Sequence, residues 1–121
     1  MKVTKIVWIS RHNLTPENYE ILSRAFGEGI PVYQIRETLN REDIKKLVDL
    51  FRDELETTAF VVVLPMDLIS ELLKYTSNVY KFTVARKVKE DGSVEITPTG
   101  LEQILKVEVK TKPVVSLRQG G

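Results

Sequence analysis

Residues 5–16 read KIVWISRHNLTP, and the succession of side chains in this stretch decides the fold. Ile6, Val7, Trp8 and Ile9 form an unbroken apolar run where a half-exposed strand would alternate. A run of this kind suits a strand covered on both faces, as in a parallel sheet, and the pattern predicts a strand over Val3–Ser10. Thr15 then serves as an N-cap and Pro16 as the first residue of a helix. Between strand and helix lie Ser10, Arg11, His12 and Asn13. A hydroxyl, a guanidinium, an amide and the chain's one histidine thus gather at the C-terminal end of a first strand, where open α/β sheets place their ligands.

The rest of the chain repeats this grammar twice and then drops it. Tyr19, Leu22, Ala25 and Phe26 give the first helix its apolar stripe, and Gly27 and Gly29 stop it. Pro31–Arg36 reads as a short second strand. Asn40 can cap a second helix with Asp43 three residues later, and Ile44, Leu47, Val48, Phe51 and Leu55 share its inner face. Ala59–Leu64, AFVVVL, is a second wholly apolar strand, closed by Pro65. Asp67 falls in the first turn of a third helix that carries Leu68, Ile69, Leu72 and Leu73 and ends near Tyr75. This βαβαβα order builds a parallel sheet flanked by helices. After Ser77 the pattern predicts a long strand, Val79–Val88, a hairpin turn at Glu90-Asp91-Gly92-Ser93 and a short returning strand, Val94–Thr97. Pro98-Thr99-Gly100 breaks that strand, Leu101–Ile104 is expected as one helical turn, and Leu105, Val107 and Val109 alternate as a last, half-exposed strand. The expected fold is a three-layer, mainly parallel Rossmann-like α/β sheet with an antiparallel C-terminal hairpin, one domain over residues 1–112, with a flexible tail over 113–121.

Composition excludes several classes. The 121 residues hold 42% hydrophobic and 29% charged side chains, an ordinary globular balance. The longest apolar run, Ala59–Leu64, is too short to span a membrane, and the N-terminus leads into a strand with no signal-peptide pattern. With no cysteine and one histidine, neither disulfides nor a zinc site is expected, and a reducing, cytoplasmic setting fits. Absent cysteine, few amides and many ion-pairing residues are also compatible with a thermophilic source. Net charge is +1, so binding to long nucleic acid is not expected. Residues 1–80 carry 10 basic and 12 acidic side chains while residues 81–121 carry 8 and 5, which leaves the C-terminal third about +3. Phosphate-loop, dinucleotide, nucleophile-elbow and zinc-protease motifs are absent. Glu42, Asp43, Asp49, Asp53, Glu54 and Glu56 read as the solvated face of the second helix, although a small metal-dependent nuclease could be built on them.

Three groups of residues can carry chemistry. His12 is either a polar loop residue or a general acid or base. Arg11 can hold a phosphate bidentately, whereas Ser10 and Asn13 serve equally well as turn formers or ligand contacts. Met66, Asp67 and Ser70 occupy the start of the third helix, where backbone amides attract anions and where Asp67 can also act as an ordinary cap. Arg86 falls on the parity of Tyr80, Phe82 and Val84, so it either snorkels past the sheet edge or faces a polar cleft. Lys87 has the opposite, solvated parity and adds a second cation to the segment.

IVWISRHNLTPENYEIL at residues 6–22 and VVVLPMDLISELL at residues 61–73 resemble small CRISPR-associated proteins of CARF-like, Rossmann-type fold. FTVARKVKEDG at residues 82–92 and ITPTGLEQILKVEV at residues 96–109 are similar to the C-terminal half of a viral anti-CRISPR ring nuclease family. The resemblance implies a homodimer that binds a cyclic oligoadenylate across its two-fold axis, without a cofactor. It also implies, for some members, metal-free cleavage by a ribose 2′-hydroxyl to leave a 2′,3′-cyclic phosphate. Carried over, Ser10, Arg11 and His12 line the first-strand crevice, the Met66–Ser70 helix start lies beneath a phosphate and Arg86 stands as a charge-stabilising arginine. The catalytic candidates are then Arg11, His12 and Arg86, and the ligand-binding ones Ser10, Met66, Asp67 and Ser70, to which the chain's own pattern adds Asn13 and Lys87. The viral family has a histidine ahead of its third helix, where this chain has Met66 and Asp67, so binding is implied more firmly than hydrolysis. A dimeric adaptor that uses the same scaffold without catalysis is the alternative.

Overall fold

The computed structural model of the protein describes residues 2–107. Its first strand, β1 (Lys5–Ile9), is followed by α1 (Pro16–Phe26), β2 (Val32–Ile35), α2 (Arg41–Leu50), a 3-10 segment (Arg52–Thr57), β3 (Thr58–Val62), α3 (Met66–Leu73), β4 (Val79–Val88) and β5 (Val94–Gln103). The strands form one sheet in the order β2-β1-β3-β4-β5. All neighbours are parallel except β4 and β5. This is an α/β fold of Rossmann-like layout, as the sequence led one to expect.

The apolar runs explain the layering. Ile6, Trp8, Ala59 and Val61 point to one face, where Leu22 of α1 covers them. Val7, Ile9, Phe60 and Val62 point to the other, against Ile44, Leu47 and Val48 of α2 and Leu68 and Leu72 of α3. Both faces of β1 and β3 are therefore dry, which is why neither strand alternates in sequence. The caps are also local. Asn18 N–H donates to Thr15 Oγ1 at 3.2 Å and Asn18 Oδ1 accepts from Thr15 N–H at 2.9 Å. Asn40 and Asp43 repeat this reciprocal box with both bonds at 2.9 Å. Gly27 ends α1 at φ 107°, a conformation that a side chain resists.

Several expectations need correction. Tyr19 and Ala25 are exposed, so the buried stripe of α1 narrows to Leu22 with Phe26 half-buried against Tyr80. Helix α2 stops at Leu50, and Leu55 reaches the core from the 3-10 segment instead. The third strand ends at Val62, and Val63 is exposed although its N–H still donates to Ile9 C=O at 3.0 Å. The largest correction lies at Pro98-Thr99-Gly100. Val84 pairs with Pro98 and Thr83 with Gly100, so Thr99 is looped out as a β-bulge and the strand continues to Gln103. Leu101 is a strand residue packed near Phe82 rather than part of a helical turn. Ile104 lies past the strand end, its N–H bonded to Val79 C=O at 2.7 Å. Residues 104–107 form no strand, and Val109 and the 113–121 tail lie outside the described residues.

Strands β3 and β4 pair only at Phe60–Val79 and Val61–Tyr80. Beyond Tyr80, β4 leaves the parallel sheet and runs outward with β5 alone, as a two-stranded ribbon whose turn contains Gly92 at φ 85°. Among the described residues no helix is long and apolar enough to cross a membrane.

Candidate functional site

The chain winds outward from β1 to β2, then returns to place β3 on the other side of β1. The loops leaving β1 and β3 consequently diverge to opposite faces of the sheet, one into α1 and the other into α3. This reversal opens a crevice at the carboxyl ends of the two strands, the position at which open α/β sheets bind ligands.

The β1 side of the crevice is the predicted Ser10–Asn13 cluster. Ser10 is 7% exposed. Its N–H donates to Ile35 C=O at 3.1 Å, and its Oγ accepts from His12 N–H at 3.1 Å. That second bond is a serine turn, which reverses the chain as it leaves the strand. Neighbouring side chains then fix the carbonyls of the loop. Trp8 Nε1 donates to His12 C=O at 2.8 Å. Gln34 Nε2 donates to Ser10 C=O at 3.0 Å and to His12 C=O at 2.9 Å. Arg36 Nη1 donates to Arg11 C=O at 3.0 Å, and its Nη2 also bonds Asn13 Oδ1. The Arg11 guanidinium is held by Thr38 Oγ1. The loop is thus clamped from β1, from β2 and from the residues just after β2.

Two cavities flank this loop. The smaller, about 270 Å³, lies on the α2–α3 side and is lined by Ser10, Arg11, His12, Thr38 and Pro65 over an apolar floor of Ile9 and Leu68. Glu37 also borders it, so the cationic character supplied by Arg11 is partly offset. The larger, about 720 Å³, lies on the α1 side between the loop and the ribbon. Trp8, Phe82, Val84, Ile96 and Pro98 make its walls, with His12, Asn13 and Asn18 at the rim. Trp8 and Phe82 meet edge to face with centroids 5.5 Å apart. His12 borders both cavities, and its side chain is exposed. Both cavities are mostly apolar, the smaller with Arg11 and Glu37 among its lining and the larger with Lys81.

The predicted residues divide accordingly. Ser10, Arg11, His12 and Asn13 come together. Pro65 borders the smaller cavity, and α3 begins just after it with no side-chain cap, so Asp67 does not close the helix start. Met66 opens instead onto a separate groove with Lys81 and Leu105. Asp67 and Ser70 line neither crevice cavity. Arg86 and Lys87 are exposed on the ribbon and line neither cavity. Arg86 does share its face with Val84 and pairs with Ile96, which are wall residues of the larger cavity.

Trp8, Gln34, Arg36 and Thr38 are the contributors that reading the sequence passes over. A signal existed for two of them: Gln34 and Arg36 are polar interruptions at the carboxyl end of a short strand beside β1, where their side chains reach the first-strand loop. Comparison with protein-family models, curated proteins and solved structures finds no match to this chain.

Proposed function

We propose that this protein is a CARF-like receptor for a cyclic oligoadenylate, with a ribose–phosphate of the ring held at the crevice between β1 and β3. The observation that supports this reading most is the placing of Arg11, His12 and the buried Ser10 hydroxyl around one small cavity at the winding reversal. Arg11 supplies a charge-assisted contact to phosphate. The adjoining apolar cavity, walled by Trp8 and Phe82, has room for a nucleobase. If the ring is also cut, a metal-free route asks little more of the protein. The ribose 2′-oxygen attacks the adjacent phosphorus as its proton passes to His12, Arg11 stabilises the phosphorane charge, and the P–O5′ bond breaks with the 5′-oxygen taking a proton from water, to give a 2′,3′-cyclic phosphate and a 5′-hydroxyl. Arg86, out on the ribbon, takes no part from its own chain.

The test is thermal shift of the full chain with cyclic tetra- and hexaadenylate, followed by chromatography of the nucleotide. A shift that Arg11→Ala abolishes supports binding at this crevice. Products ending in 2′,3′-cyclic phosphate, lost in His12→Ala with binding retained, would add hydrolysis. Failure of every ring size to raise the melting temperature would sink the reading. A second reading, a dimeric adaptor without ligand chemistry, is favoured by one feature: the uncovered apolar face of the β4–β5 ribbon.

A further inference from the structure

Strand β4 has two edges, and the hydrogen bonds at its ends show which residues serve each. Val79 C=O accepts from Ile104 N–H at 2.7 Å and Lys89 N–H donates to Ser93 C=O at 2.8 Å, so the odd-numbered residues turn their amides toward β5. Asn78 C=O accepts from Phe60 N–H at 2.9 Å, so the even-numbered ones turn theirs toward β3. The bulge places its extra residue, Thr99, on β5 and leaves this alternation along β4 intact. Pairing with β3 stops at Tyr80. From Phe82 to Val88 the even-numbered N–H and C=O groups therefore meet no strand among the described residues.

This edge is open, and its charge is one-sided. No proline, glycine or bulge interrupts β4, whereas Pro98 and the Thr99 bulge guard β5, two devices that keep strands from adding. Lys81, Arg86 and Lys87 lie on β4 and no acid does. Across the ribbon Lys81 faces Glu102 and Lys87 faces Glu95, but Arg86 faces Ile96 and has no ion-pair partner among the described residues. Arg86 stands in a row with Val84 and Val88, and all three are exposed. A strand added to the edge would lay its own alternate side chains beside that row. A second copy of β4 brings cations to it, and the free edge strand β2, VYQI, brings no acid either. Like charges on neighbouring strands repel.

We infer that the open edge of β4 accepts an extended peptide of a partner protein as a further strand of the sheet. A carboxylate of the peptide lies beside Arg86, and β-branched or aromatic residues two positions to either side lie beside Val84 and Val88. The even-numbered amides supply main-chain hydrogen bonds, and the Arg86 contact selects the sequence. The inner end of the added strand stops at Phe82, a wall residue of the 720 Å³ cavity. The contact needs no nucleotide.

The probe is a labelled, acetylated peptide of alternating valine and threonine with glutamate in place of the middle valine. It is titrated into the full chain without nucleotide and followed by fluorescence anisotropy and residue-resolved amide exchange. Saturation should slow exchange at least about tenfold at Phe82, Val84, Arg86 and Val88, with little change at their odd-numbered neighbours. Arg86→Glu should raise the dissociation constant at least about tenfold and turn the preference toward a peptide with lysine in the glutamate position. Arg86 is exposed, so the variant keeps the wild-type circular dichroism. Only one edge of the peptide meets β4. N-methylation of either the valine and glutamate amides or the threonine amides should therefore abolish binding, and methylation of the other set should not. Binding that tolerates both methylations, or that is indifferent to Arg86→Glu, overturns strand addition at this edge, and so does failure of the glutamate peptide to bind. A free chain that self-associates and protects the same even-numbered amides would overturn it in favour of a second copy. The nucleotide thermal shift is read separately, so either result can fail alone.

Discussion

Strands β3 and β4 are neighbours built from similar residues, yet they live in different solvents. All five residues of β3 are buried, whereas of the ten in β4 only Val79 is. In β3 each β-branched or aromatic side chain meets a helix on its own face of the sheet. In the outer part of β4 the same residue types meet only the opposing strand. Apolar content alone therefore does not say whether a strand belongs to the core. What separates the two is the presence of covering helices, and α1, α2 and α3 reach no farther than the inner end of β4.

The sharpest way to probe this contrast is to remove a side chain from each region. Phe60→Ala should cost about 3–5 kcal/mol, because Phe60 is fully buried between α2 and β1. Val84→Ala should stay within about 0.5 kcal/mol. Urea unfolding followed by circular dichroism measures both, and near-equal losses would mean that the ribbon face is packed as a core is.

Next in size comes Arg11→Ala, which removes a charged contact at the crevice and little else. Nucleotide affinity should fall about tenfold or more while the ligand-free melting temperature holds. Isothermal titration with the ring that gives the largest thermal shift separates the two readouts. Gln34→Ala should act in both ways at once. It costs about 1 kcal/mol of stability, since one amide holds two loop carbonyls, and it weakens nucleotide binding by loosening Ser10 and His12. An unchanged affinity would show that the loop keeps its shape without the clamp.

The smallest effect is expected in the ribbon turn. Hydrogen bonds from Ser93 hold the Asp91 carboxyl below its ordinary value. A depressed carboxyl stabilises the fold above its unfolded-state value near pH 4, and that contribution is lost as pH falls through the lower, folded value. Amide protection at residues 88–94, relative to intrinsic exchange at the same pH, should therefore fall below about pH 4, while protection in β1 and β3 does not respond to this group. Asp91→Asn should remove the difference.

Much of the parallel half was legible because its determinants are local or strongly periodic. Two unbroken apolar runs, two capping residues and the glycine stop of α1 suffice to order βαβαβα. The Ser10–Asn13 cluster was legible for the same reason, being contiguous in the chain and fixed to the end of a strand. The clamp was not legible. Gln34 and Arg36 act across a sheet, and only the parallel register of β1 with β2, Trp8 opposite Gln34, shows that they reach the loop. The ribbon misled for a different reason. Pro98 and Gly100 carry the ordinary signs of a strand end, yet pairing with β4 accommodates them by extruding Thr99. Arg86 was placed by parity correctly on the apolar face, but parity carries no information on how far along the strand the covering helices extend.

The unequal span of the pairings also sets an order of assembly. The ribbon zips outward from Val88–Val94 across a turn of a few residues, while Lys5 must find Thr58 across 53 intervening peptide units before β1 and β3 can pair. Local hairpins close in roughly 1–10 μs, whereas long parallel pairings must first overcome loop-closure entropy and are slow. The ribbon is thus the element most able to form ahead of the sheet that it joins. Substitutions at its outer end should then alter the unfolding rate far less than those in β1 and β3, where the late, long-range contacts are made.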